Sequence, residues 1–122
     1  MDWRLFILVC MIFMHIVDDY YLQGWLASAK QKKWWKENCP DKKYNKDYLV
    51  ALFMHSFSWA FMIMLIPTLI TQTWLPILFF INIAIHMYTD NEKANKFSIN
   101  LVQDQTIHMV QIITTWIVMM YI

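Results

Sequence analysis

Four histidines and a few aspartates are the residues of this 122-residue chain whose spacing could support chemistry. His86 stands four residues before Asp90, and Asp104 stands four residues before His108. Residues four apart lie on one face of a helix, so each pair would present an imidazole beside a carboxylate, and both groups bind metals. A polar loop, residues 91–103, separates the two pairs. The stretch therefore predicts a helical hairpin with one His/carboxylate pair on each leg, next to the shared loop.

The first apolar segment carries a third group of this kind. His15 is followed by Asp18 and Asp19, and Gln23 extends the same helical face by another turn. An imidazole and carboxylates near the end of a membrane segment are costly unless they are paired or metal-bound. Asp18 has a plainer interpretation, since it could simply mark where the helix leaves the bilayer. His55, in the second apolar segment, is by itself typical of a buried histidine that is hydrogen-bonded to a neighbouring backbone.

The composition indicates which elements position these residues. The hydrophobic fraction is 59% with a single glycine, far above the norm for a soluble domain. The apolar residues form four blocks, each near the roughly 20 residues that a helix needs to cross a bilayer, although the third is short. We therefore predict an all-α fold, an integral membrane four-helix bundle that forms one transmembrane domain over residues 1–122. The predicted helices cover about 5–22, 48–71, 74–89 and 105–122.

The lysines give the bundle an orientation. All nine lie in two polar segments, 24–47 and 91–103, and the single arginine is near the N-terminus. By the positive-inside rule both long loops are cytoplasmic and both termini lie outside the cytoplasm. Lysines mixed with tryptophans in the first loop predict a short interfacial helix between helices 1 and 2, ending near residue 35, with anionic lipid headgroups as partners. A homodimer would shield the polar faces, and we expect no sequence-specific nucleic acid.

Alternating topology brings the four histidines to one end of the bundle. Each predicted helix carries one histidine, within about two turns of the cytoplasmic interface. The set is rich in nitrogen and oxygen and free of sulfur, which favours Zn²⁺ and also suits Mn²⁺ or Fe²⁺, with one or two ions. A proton relay and interhelical hydrogen bonds are the interpretations without metal. The candidate ligands are His15, Asp19, His55, His86, Asp90, Asp104 and His108.

The polar residues form one ordered set along the chain: His15-x-x-x-Asp19-x-x-x-Gln23, then Lys30, then His55, then His86-x-x-x-Asp90-x-x-Lys93, then Asp104-Gln105-x-x-His108. Over nearly the whole chain this set resembles a domain-of-unknown-function family of small bacterial and phage inner-membrane proteins. More distantly it resembles the inner-membrane metal-dependent hydrolases. The resemblance implies a multi-pass protein of the bacterial inner membrane and favours Asp19 over Asp18 as a ligand. It implies no particular reaction.

The residues together predict a membrane-embedded, metal-dependent hydrolase that acts at the cytoplasmic headgroup level on a phosphoester or a lipid headgroup. A bound metal would supply hydroxide near neutral pH, and Asp104 or Asp19 would act as the base. The alternatives are not enzymes: a pore-forming, holin-like protein, a structural partner, or a proton or ion relay. The candidate substrate-binding residues are Lys93, Lys30, Gln23 and Gln105.

Overall fold

The computed structural model describes residues 2–122 and is all-helical over that range, which confirms the predicted all-α class. Four long helices run along the molecule, and two short helices lie between the first and second of them. The bounds are α1 Trp3–Ile16, α2 Leu26–Ala29, α3 Lys32–Asn38, α4 Asp47–Thr71, α5 Pro76–Ala94 and α6 Leu101–Tyr121. A π-helical segment, Val17–Leu22, continues α1, and a 3₁₀ turn, Lys42–Tyr44, precedes α4.

The hairpin of α5 and α6 has a shorter loop than the sequence predicted. Helix α5 continues to Ala94, where the prediction ended near residue 89, and α6 begins at Leu101 instead of near residue 105. A capping box starts α6 early, because the Asn100 side chain accepts from the Gln103 amide while the Gln103 side chain accepts from the Asn100 amide. The extra helical turns place Asp90 and Asp104 firmly on helices.

The predicted interfacial helix is two short helices, α2 and α3, instead of one. The break falls at Gln31, whose backbone is extended. At this point Asn95, just after α5, donates to the Lys30 carbonyl at 2.9 Å and accepts from the Lys32 amide at 2.7 Å. These contacts replace the helical hydrogen bonds there, so tertiary packing interrupts the helix.

The apolar core lies in the half of the bundle away from the α5–α6 loop. It takes side chains from the middle of α1, the second half of α4, the first half of α5 and the second half of α6. Close packing of apolar groups from all four long helices stabilises this half. Its most deeply buried members are Met11, Trp59, Ala60, Ile63 and Ile112.

Two helical stretches, Trp3–Leu22 and Lys42–Thr71, are long and apolar enough to cross a bilayer. The sequence predicted four membrane-crossing helices, and two of them meet this criterion within residues 2–122. Helices α5 and α6 have similar lengths, but the last turn of α5 and the first turn of α6 carry charged and amide side chains that lower their mean hydropathy.

Candidate metal centre

The end of α1, the start of α4, the end of α5 and the start of α6 meet at one end of the bundle. All four histidines are buried there, each with a relative exposure of 1% or less. Four aspartates share this interior, and the most exposed side chain among them, that of Asp19, is only 8% exposed. The fold thus gathers imidazoles and carboxylates from all four long helices into one buried cluster.

The π-helical segment explains how two adjacent aspartates reach this cluster. A π-helical turn is wider than an α-helical turn, and such turns are frequent at functional sites. Asp19 turns towards His55, with 3.1 Å between Oδ1 and Nε2. Asp18 accepts a hydrogen bond from Ser58 at 2.5 Å and lies 3.7 Å from Nδ1 of His55. The two aspartates therefore contact different nitrogens of the His55 ring. Asp18 lies near Nδ1, and Asp19 lies near Nε2.

His55, His86 and Asp90 form a triangle of ligand atoms. The two Nε2 atoms are 3.1 Å apart, and Oδ2 of Asp90 lies 3.4 Å from that of His55 and 3.5 Å from that of His86. Ligand atoms bound tetrahedrally at about 2.0–2.2 Å stand about 3.3–3.6 Å from one another. Asp19 completes a further group with the same histidines. The spacing is that of atoms able to share one cation.

A second group lies on the other side of Asp90. Nε2 of His108 is 3.3 Å from Oδ1 of Asp90 and 3.4 Å from Oδ1 of Asp104. His86, Asp90 and His108 also have ligand atoms within 4.8 Å of one another. The two oxygens of Asp90 consequently face different histidines.

Several of these atoms are buried without a hydrogen-bond partner. They include Oδ1 of Asp19, Oδ1 of Asp104 and Nε2 of His108. Leaving buried polar atoms unpaired costs about 1–3 kcal/mol each, and more for charged groups. A cation bound next to such an atom would supply the missing partner, so the donor set fits divalent metal ions.

The orientation of His108 is fixed by an amide network. Its Nδ1 is 3.2 Å from Oε1 of Gln111, whose amide nitrogen donates to the Asn82 carbonyl at 3.1 Å. Because the Gln111 oxygen must then face the ring, Nδ1 is the hydrogen-bond donor to Gln111, and Nε2 is the nitrogen directed at the aspartates. Asn82 in turn donates to Thr115 at 2.8 Å. In the sequence, Gln111 stands three residues after His108 and Asn82 stands four residues before His86, and this spacing was the available signal.

His15 lies in the same interior but uses both ring nitrogens elsewhere. Trp59 donates its indole N–H to Nδ1 at 2.8 Å, so Nε2 carries the proton and donates to Oε1 of Gln105 at 2.9 Å. Gln105, predicted to bind substrate, also donates to Asp104 at 3.0 Å. Its Nδ1 is also 3.6 Å from Oδ2 of Asp19, but neither group of ligand atoms includes His15, although the sequence predicted it as a ligand. The imidazole instead connects Trp59 to the Asp104 side of the cluster.

The predicted lysines border the cluster on its open side. Lys30 donates to Oδ2 of Asp90 at 2.9 Å, and Nζ of Lys93 is 3.7 Å from Oδ2 of Asp104. With Gln23 they line a cavity of about 330 Å³ that reaches Asp90. A smaller cavity of about 50 Å³ adjoins the same residues and is lined by Asp19, Asp104 and Gln105 as well. Of the candidate ligands, Asp19, Asp90 and Asp104 line these cavities, beside the candidate substrate-binding residues.

No protein-family model, no curated protein and no solved structure matches this chain. The chemistry of the site therefore follows from its own residues. Buried imidazole nitrogens and carboxylate oxygens at these separations could hold a divalent metal ion.

Proposed function

We propose that this protein is a membrane-embedded, metal-dependent hydrolase whose centre lies at the cytoplasmic headgroup level and acts on phosphoester or lipid-headgroup substrates. One observation carries the proposal: the ligand atoms of His55, His86 and Asp90 stand 3.1–3.5 Å apart, and Asp90 lines a cavity bordered by two lysines. This combination suits a metal-bound nucleophile with an anionic substrate placed next to it.

The membrane assignment rests on the outer surfaces of the helices. All four long helices expose large apolar side chains, including the two with lower mean hydropathy. An apolar surface of this extent suits lipid contact in a four-helix bundle. Both lysine-bearing segments lie at the end of the bundle that holds the cluster, which favours a cytoplasmic location for that end. On α5 and α6 the exposed apolar residues include Ile77, Phe80, Ile85, Val110, Ile113 and Ile117.

A divalent metal at this site would lower the pKa of a bound water and polarise a phosphoryl oxygen. Zinc is the metal we propose, with Mn²⁺ or Fe²⁺ as alternatives, because imidazole and carboxylate donors suit all three. Asp104 or Asp19 would accept the proton of the attacking water, since both line the smaller cavity. Lys30 and Lys93 would hold the anionic group of the substrate.

A proton relay is less consistent with the distribution of polar groups. A relay across the bilayer needs titratable groups at successive depths. Among residues 2–122, the core of the opposite half is built from apolar side chains of all four long helices. The titratable groups are instead concentrated at one end.

The test is hydrolysis by detergent-purified protein that has been stripped with a chelator and reloaded with Zn²⁺ or Mn²⁺. We expect metal-dependent turnover on a phosphomonoester or phosphodiester, with ester and amide substrates as comparisons. Asp104→Asn should abolish it, whereas Asp41→Asn, the same change at an exposed helix cap, should leave it unchanged. If metal-loaded protein hydrolyses nothing and makes vesicles leak, a pore-forming function replaces this one.

A further inference from the structure

We infer that the centre holds two divalent cations, bridged by the carboxylate of Asp90. Its Oδ2 faces His55 and His86, whereas its Oδ1 faces His108. A carboxylate that presents its two oxygens to separate ligand sets is suited to join two ions about 3.5–4 Å apart. This inference deepens the proposed hydrolase and rests on it for the substrate, but not for the cations.

Each side of Asp90 has its own histidine and its own terminal carboxylate. Asp19 approaches His55 at 3.1 Å, and Asp104 approaches His108 at 3.4 Å. Within residues 2–122, His55 has no ion-pair contact with Asp104, and His108 has none with Asp19. Both terminal carboxylates bury an Oδ1 atom that lacks a hydrogen-bond partner. Two unpaired oxygens in two separate sets indicate two cation positions.

His86 belongs to both groups, but its Nε2 can bind only one ion. That atom is 3.1 Å from Nε2 of His55, so it joins the ion on the Asp19 side. The other ion takes His108, Asp104 and the second oxygen of Asp90. Gln111 accepts from Nδ1 of His108, so Nε2 is the nitrogen that would bind this ion.

The charges of the cluster also favour two ions. Four carboxylates and two lysines at the cluster give a formal surplus of two negative charges when the histidines are counted as neutral, the form in which imidazole binds a metal. Buried charge of one sign is unfavourable unless it is compensated. Two divalent cations would reverse it to two positive charges, which suits a dianionic phosphoryl group. Because the phosphoryl group of a phosphomonoester carries two negative charges, phosphomonoesters are the substrate class whose charge the centre would neutralise.

The inference changes the role of Asp104 from base to ligand, and this difference can be measured. Replacing a residue that acts only as a base leaves the metal content unchanged, whereas replacing a ligand lowers it. Asp104→Asn should lower the content from two ions per chain to one. His108→Gln should do the same, because it removes the other ligand that belongs to the second ion alone.

The experiment uses the full chain in detergent, loaded with Mn²⁺ after chelation. Bound manganese is counted by elemental analysis, and electron paramagnetic resonance reports whether neighbouring ions are coupled. We expect two ions with a coupled spectrum in the unmodified protein and in Asp41→Asn. Asp104→Asn and His108→Gln should each give one ion with an uncoupled spectrum, and circular dichroism checks that both are folded.

One uncoupled ion per chain in the unmodified protein would overturn the inference, as would two coupled ions in both variants. Neither result depends on turnover. Two coupled ions without hydrolysis of any phosphoester would leave the two-cation centre in place and reject the hydrolase. One ion per chain together with hydrolysis would reject the two-cation centre and leave the hydrolase in place.

Discussion

The two ends of this bundle are built on opposite principles. The end away from the α5–α6 loop packs apolar side chains from four helices, and each buried methylene there contributes about 0.8 kcal/mol. The other end buries four imidazoles and four carboxylates. Ionised groups taken out of water cost several kcal/mol each unless hydrogen bonds and opposite charges compensate. The apolar end therefore stabilises the fold. The other end lowers its stability and holds imidazoles and carboxylates in fixed positions.

This comparison predicts that changes at the apolar end affect stability without affecting metal affinity. Ile63→Ala removes a fully buried side chain and should lower the free energy of unfolding by about 2–5 kcal/mol. Ile117→Ala, the same change on a half-exposed side chain of α6, should cost much less. Denaturation in detergent measures both, and titration with Zn²⁺ measures the affinity of the folded protein. A weaker Zn²⁺ affinity in folded Ile63→Ala would break the separation of the two ends.

At the polar end we expect a smaller effect, and we expect it on metal affinity. Gln111→Leu removes the acceptor that fixes the His108 ring, and loss of such a partner typically weakens metal binding 10–100-fold, or about 1.4–2.8 kcal/mol. Gln111→Glu keeps an acceptor for Nδ1 and should retain most of the affinity. Competition with a chelator of known affinity measures both variants. Unchanged affinity in Gln111→Leu would show that the amide only joins helices.

The sequence was sufficient to predict that the histidines converge. Four helices in alternating directions fix which ends meet, so His15, His55, His86 and His108 had to share one end. The class of fold followed from the apolar blocks and from the near absence of glycine. The lone glycine, Gly24, has a φ of 55° and lies just after the π-helical segment.

The partner of each histidine ring nitrogen could not be predicted, because it depends on residues far away in the chain. The partners of His15 are 44 and 90 positions distant, at Trp59 and Gln105. The break between α2 and α3 likewise depends on Asn95, more than sixty residues further on. No local pattern carries this information, since helix packing decides which side chains meet.

The central claim is that the buried cluster is a metal centre in which individual histidines have distinct roles. The most direct test is the Zn²⁺ content of the purified protein compared with His86→Ala and His15→Ala, which remove the same ring from the same interior. We predict that His86→Ala retains half the metal of the unmodified protein or less, whereas folded His15→Ala retains all of it. An unmodified protein that binds no metal, or a His86→Ala variant with undiminished metal, would contradict the claim.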